Sequence, residues 1–102
     1  MSRSPVYTSG APKPPSFLSQ AIVLEKLVFC SGQIGCDPET GALIQGTIQE
    51  RTKRIMSNLG AVLEAAGSSI SDIVKINIYL TDMADFKSMN EAYEPFFSDL
   101  VP

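Results

Sequence analysis

The spacing of apolar residues changes along the chain, and each spacing predicts a different element. Residues 19–24 (Ser-Gln-Ala-Ile-Val-Leu) and 27–33 (Leu-Val-Phe-Cys-Ser-Gly-Gln) are short apolar runs that predict two strands. Glu25-Lys26 turns the chain between them, although a tight hairpin prefers Asn-Gly or Gly-Asn. Val6 and Tyr7 predict a short edge strand ahead of a stiff Pro-rich loop over 9–16. Ile48, Ile55, Met56, Leu59, Val62, Leu63 and Ala66 then recur at helical spacing. Thr47-Ile48-Gln49-Glu50 opens that helix as a capping box, and Gly67 closes it. From Ile73 to Leu80 the period becomes two. Val74, Ile76, Ile78 and Leu80 share one face of a predicted strand, and Lys75, Asn77 and Tyr79 share the other. That polar-aromatic second face suits a subunit interface better than open solvent. A second helix starts near Asp82, with Phe86, Met89, Tyr93, Phe96 and Phe97 on its apolar side. Pro95 is expected to kink it near Glu91. The order strand-strand-helix-strand-helix argues for a two-layer α/β sandwich.

Composition narrows the chemistry. The chain has 102 residues, 44% hydrophobic and 19% charged, which fits one globular domain. A net charge of −3 supplies no basic face, so no nucleic-acid partner is expected. Arg51-Thr52-Lys53-Arg54 reads as a solvated helix face. The chain has no histidine, which removes the commonest general base and metal ligand and any Ser-His or Cys-His nucleophile. Cys30 and Cys36 are too far apart for a Cys-x-x-Cys pair and too few for a zinc site. They read instead as a small core or cleft residue and a loop thiol in a reducing compartment. No run approaches the ~18 apolar residues of a membrane span, so no membrane partner is expected. The N-terminus lacks a secretory pattern. A cytoplasmic location is favoured, with the mitochondrion as the alternative.

Candidate chemistry gathers at the end of the second strand. In Ser31-Gly32-Gln33 a hydroxyl, a bare backbone and an amide arrive together. Glycine at a strand end lets another group approach the main chain closely. The alternative is a strand that simply turns, with glycine as the breaker. Asn90 falls on the apolar stripe of the second helix, where a polar side chain must find backbone partners or line a cleft. Asp37-Pro38-Glu39-Thr40-Gly41 is a well-marked turn.

Five motifs occur in order: Ser19-Gln20-Ala21-Ile22, Ser31-Gly32-Gln33-Ile34, Asp37-Pro38-x-Thr40-Gly41, Leu63-Glu64-Ala65-Ala66-Gly67-Ser68-Ser69, and Asn90-x-x-Tyr93-x-x-Phe96-Phe97. Together they resemble the Rid family, also called the YjgF family, over roughly residues 5–102. The resemblance implies a chorismate-mutase-like α+β fold, a two-layer sandwich with a mixed sheet and two helices packed on one face. It also implies a homotrimer with ligand clefts between subunits. The implied activity is hydrolysis of reactive 2-imino acids, such as 2-iminobutanoate and 2-iminopropanoate, to 2-keto acids and ammonia without a cofactor or metal. Carried over by position, Ser31 and the Gly32 backbone are the catalytic candidates. Asn90, Cys30 and Leu18 are the substrate-binding candidates.

The chain departs from the family pattern in two places. Ser16-Phe17-Leu18 stands where the family carries Gly-Pro-Tyr, so Leu18 replaces the cleft tyrosine. Family chains also continue past the second helix into Pro-Ala-Arg-(Ser/Thr)-Cys-Val and two more strands, with an arginine for the substrate carboxylate and a late glutamate. The expectation is one Rid-type domain over 1–102 that lacks those strands, being part of a longer protein or folding poorly alone. A non-catalytic module of the same fold, binding small carboxylates or a protein, is the alternative function. An endoribonuclease is third, disfavoured by the acidic pI of about 4.7.

Overall fold

A computed structural model describes residues 2–97 and 101–102. Three strands form an antiparallel sheet in the order β1 (Arg3–Val6), β2 (Ala21–Leu24), β3 (Leu27–Cys30). Leu24 pairs with both Arg3 and Leu27, and Ala21 with both Val6 and Cys30. The hairpin between β2 and β3 is as tight as two residues allow. Its cost shows at Glu25, a non-glycine residue at φ 56°. That left-handed conformation is disfavoured by a side chain, which is why the sequence encodes this turn weakly. Ahead of β2, the side chain of Gln20 is buried and holds the Pro-rich loop. Its Oε1 accepts the Thr8 N–H at 2.7 Å, and its Nε2 donates to the carbonyls of Thr8 and Pro12, each at 3.0 Å.

Helix α1 (Ile48–Ala65) begins as its sequence predicts. The Thr47 hydroxyl accepts the Glu50 N–H at 3.1 Å, and the Glu50 carboxylate accepts the Thr47 N–H. Gly67, at φ +82°, takes the left-handed position just beyond the C-cap. Met56, Val62 and Leu63 are buried. Val62 packs in a core with Val6, Ala11 and Ala21, against which Val23, Val28, Cys30, Ala61 and Ala66 are partly buried. Each fully buried large side chain of this kind contributes roughly 1.5–3 kcal/mol. Helix α2 (Phe86–Tyr93) packs along α1 through its own buried Met89 and Ala92.

Three sequence expectations are corrected. No strand forms over 73–80; the chain makes a 3-10 turn at Ile70–Asp72 and then runs without a sheet partner, with Val74 and Tyr79 85% and 90% exposed. Period-2 alternation specifies a face, but a strand also needs a neighbouring edge, and none among the described residues is paired with this segment. The sheet of the described residues is consequently antiparallel rather than mixed. Pro95 does not kink α2. The α-helix stops at Tyr93, and Pro95 sits in a 3-10 turn at Glu94–Phe96, where its missing N–H removes no α-helical bond. Helical structure does begin at Asp82, first as a 3-10 turn that runs into α2 at Phe86. Asp82 caps a 3-10 turn at Met83–Asp85 by accepting the Ala84 N–H at 2.9 Å.

One consequence dominates the architecture. Between β3 and the unpaired segment 73–80 lies a groove of about 1700 Å³. Its floor is the α1 stripe of Ile48, Ile55, Met56, Leu59 and Leu63, and it reaches Met89 and Tyr93 of α2. The apolar stripe of α1 is thus wider than three strands can cover.

Candidate functional site

The ladder between β2 and β3 runs one residue beyond the strands. The Ser31 N–H donates to the Gln20 carbonyl at 3.1 Å, and the Ser31 hydroxyl donates to the Ser19 carbonyl at 2.6 Å. With its proton committed, the Ser31 oxygen keeps its lone pairs for a ligand N–H or a water. Gly32 follows at φ +105°, a conformation that favours glycine, and nothing lies within 4 Å of where a Cβ would point. The chain therefore offers an open backbone next to an oriented hydroxyl.

Ser31 lines a cavity of about 370 Å³ with Arg3, Pro5, Phe17, Leu18, Ser19 and Ile22. That size is in the range of small-molecule sites. Pro5 and Ile22 face each other in the β1–β2 register and supply an apolar floor. Phe17 and Leu18 come from a turn in which the Leu18 N–H donates to the Pro15 carbonyl at 3.0 Å. Phe17 is 87% exposed, so the cavity has an open apolar wall. Beneath it, Gln20 fixes both sides at once. Its side chain holds the Pro-rich loop that leads to Leu18, and its carbonyl holds Ser31.

The structure brings Ser31 and Leu18 into the small cavity. Gly32 and Cys30 join them only along the larger groove. Cys30 is a half-buried free thiol, and burial pushes its pKa above the ordinary 9.0. Asn90 stands apart: it is half-buried on α2 and lines neither cavity. Cys36, read from sequence as a loop thiol, is buried and free, in a bridge pairing with Leu43.

Sequence reasoning missed two polar residues that shape the site. Asn58, fully buried on α1, donates to the Cys36 carbonyl at 2.9 Å and the Ile34 carbonyl at 3.3 Å, and its Oδ1 accepts from Arg54 Nε at 3.0 Å. It pins the loop that follows Gly32. Gln20 is the other. Its signal was a long amide beside three prolines, a segment whose carbonyls have few backbone donors. No groups of three or more potential metal ligands occur among the described residues, and no helix is long and apolar enough to cross a membrane.

A family model described as Endoribonuclease L-PSP matches residues 8–102. A Yersinia pestis structure described as a member of the conserved Rid protein family is 32% identical, with a TM-score of 0.94 over 99% of this chain and 80% of that one. The chain belongs to the Rid family. Within the family, a RutC family protein of Pyrococcus abyssi is 45% identical over all of this chain and 80% of its own length. The 2-iminobutanoate/2-iminopropanoate deaminase of Rattus norvegicus is 38% identical over 98% of this chain and 73% of its own. Escherichia coli TdcF with bound serine is 35% identical, with a TM-score of 0.86 over 91% of this chain and 72% of that one. The α+β fold with two helices against a sheet is that of these Rid-family structures.

Proposed function

We propose that this Rid-family chain hydrolyses small 2-imino acids to 2-keto acids and ammonia. The observation that carries the reading is the oriented Ser31 hydroxyl beside the open Gly32 backbone, at the end of a cavity with an apolar floor. The deaminase name of the rat relative supports the same reaction.

The chemistry asks little of the protein. A protonated 2-imino acid, R–C(=NH2⁺)–COO⁻, is already electrophilic. Water adds to the imine carbon, one proton passes from the added oxygen to the nitrogen, the C–N bond breaks with its electron pair on nitrogen, and the remaining hydroxyl proton passes to the released ammonia. The products are R–CO–COO⁻ and NH4⁺, so atoms and charge balance. The site needs to orient the imine and one water and to exclude competing solvent. The free lone pairs of Ser31 accept an N–H of the iminium or hold the water. Gly32, next in the chain on the side of the larger groove, leaves the main chain beside the Ser31 hydroxyl open. Pro5, Ile22, Phe17 and Leu18 enclose a short alkyl group, and Leu18 makes that wall apolar where the family pattern has a tyrosine. No cofactor or metal enters this scheme.

The open Phe17 wall and the exposed apolar side of the sheet support completion of the cleft by further copies of the chain, as a homotrimer. Leu27 and Phe29 on that side are 57% and 56% exposed, and contiguous apolar exposure of this kind marks interaction surfaces. Cytoplasmic residence, with the mitochondrion as alternative, belongs to the same reading, as does Asn90 at the edge of a cleft completed by another copy.

One observation favours a second reading, binding without turnover. Arg3 is the sole titratable side chain among the residues lining the small cavity, so no acid or base stands ready there.

The test generates 2-iminobutanoate in situ from a threonine dehydratase and traps it with semicarbazide. The chain is expected to lower semicarbazone formation as it diverts imine to 2-oxobutanoate, and Ser31→Ala to weaken that effect at least tenfold. Semicarbazone formation equal to buffer would leave the binding reading.

A further inference from the structure

We infer that Gln20 is a positioning residue: it holds the apolar wall of the small cavity against Ser31 and so sets how firmly a ligand's alkyl chain is gripped. Gln20 is 3% exposed, and its amide is bonded through both of its polar atoms. Oε1 accepts the Thr8 N–H at 2.7 Å. Nε2 donates to the Thr8 and Pro12 carbonyls, each at 3.0 Å, and reaches the Ala11 carbonyl at 3.5 Å. The bond to Pro12 closes residues 13–19 into a loop. That loop carries Phe17, Leu18 and Ser19, all of which line the cavity. Where the loop closes, its main chain meets the polar side of the cavity. The Ser19 carbonyl accepts the Ser31 hydroxyl at 2.6 Å, and the Gln20 carbonyl accepts the Ser31 N–H at 3.1 Å. A single residue thus ties the wall to the candidate catalytic hydroxyl.

The chemistry of the tie is specific to an amide. One N–H needs an acceptor and two carbonyls need donors, and a primary amide supplies both kinds from one group. Pro12, Pro14 and Pro15 have no N–H to offer their neighbours. The same prolines stiffen the loop between its ends, and within it the Leu18 N–H donates to the Pro15 carbonyl at 3.0 Å. Phe17 is 87% exposed and has little packing of its own, so its place is set by the loop that carries it. No ligand contact is assigned to Gln20; it acts through Phe17 and Leu18. The choice of a short 2-keto or 2-imino acid as ligand rests on the deaminase reading, whereas the dependence of the wall on Gln20 rests on the cavity alone.

Calorimetry on the full chain with pyruvate, 2-oxobutanoate and 2-oxopentanoate reads the wall directly. Each added methylene is expected to tighten binding to the parent about fourfold as it meets the wall. Gln20→Met keeps the length and removes the amide, and is expected to lose most of that gain. Pro15→Gly changes an exposed residue, loosens the loop and leaves Gln20 in place, and should lose gain in the same direction. Thr47→Ala removes a helix cap that does not line the cavity, and should lower stability while keeping the parental gain. A merely structural Gln20 would behave as Thr47 does. A folded Gln20→Met with the parental gain per methylene therefore overturns the assignment. Should Gln20→Met not fold, the parental gain in Pro15→Gly overturns it instead. A parent that binds none of the three acids, or binds them equally, also overturns it. Gain lost in the variants of a parent that shows no turnover of 2-iminobutanoate keeps the role of Gln20 and removes the deaminase reading.

Discussion

Asn58 shows how much one buried amide can decide. It satisfies two loop carbonyls and is itself held by Arg54. Removing such a partner strands buried polar groups, at roughly 1–3 kcal/mol. Asn58→Ala is accordingly expected to lower the unfolding free energy by that amount, read as a lower urea midpoint, and to increase amide exchange over 33–36. An unchanged midpoint would mean that the loop does not depend on it. Cys30 makes a prediction in pH. Its pKa is raised by burial above the ordinary 9.0, so between 9.0 and that raised value the folded chain binds more protons than the unfolded one. Stability must then fall as pH rises through this window, and Cys30→Ser should flatten the fall, as read by urea midpoints at several pH values. The strand end at Ser31-Gly32 was legible because a hydroxyl and a glycine break an apolar run at a fixed place. Asn58 and Gln20 were not, because their partners are backbone carbonyls 22 and 12 residues away, and no local pattern records such a contact.

Elements were legible where their ends are encoded locally. The capping box at Thr47 and Glu50 and the stop at Gly67 need only neighbouring residues, and α1 begins and ends accordingly. Thr47→Ala is expected to cost about 1 kcal/mol, measurable as a lower melting temperature with no loss at the small cavity. A change well below that would mean that tertiary contacts rather than the cap define the helix start. Pro95 does not bend α2 because the α-helix stops at Tyr93 and the proline falls at the start of a 3-10 turn, where its missing N–H removes no α-helical bond. The segment 73–80 marks the limit of pattern reading. Its alternation was plain, but a strand forms only against a partner edge, and that is a property of the rest of the molecule.

At the scale of the whole molecule, two surfaces are incompletely covered. One is the groove between β3 and 73–80 over the α1 stripe; the other is the outer sheet face with Leu27 and Phe29. Both belong to an α+β architecture in which α1 covers one side of the sheet, α2 packs along α1, and the small cavity stays open beside Phe17. The family motifs made this architecture legible, while the size of the groove depended on how few strands pair. The proposed deaminase reading completes the catalytic cleft with further copies of the chain. The most direct test is specific activity against 2-iminobutanoate, measured as a function of protein concentration. The account predicts activity per chain that is low when dilute, rises as copies associate, and then levels off. No acceleration of imine hydrolysis at any concentration would contradict it.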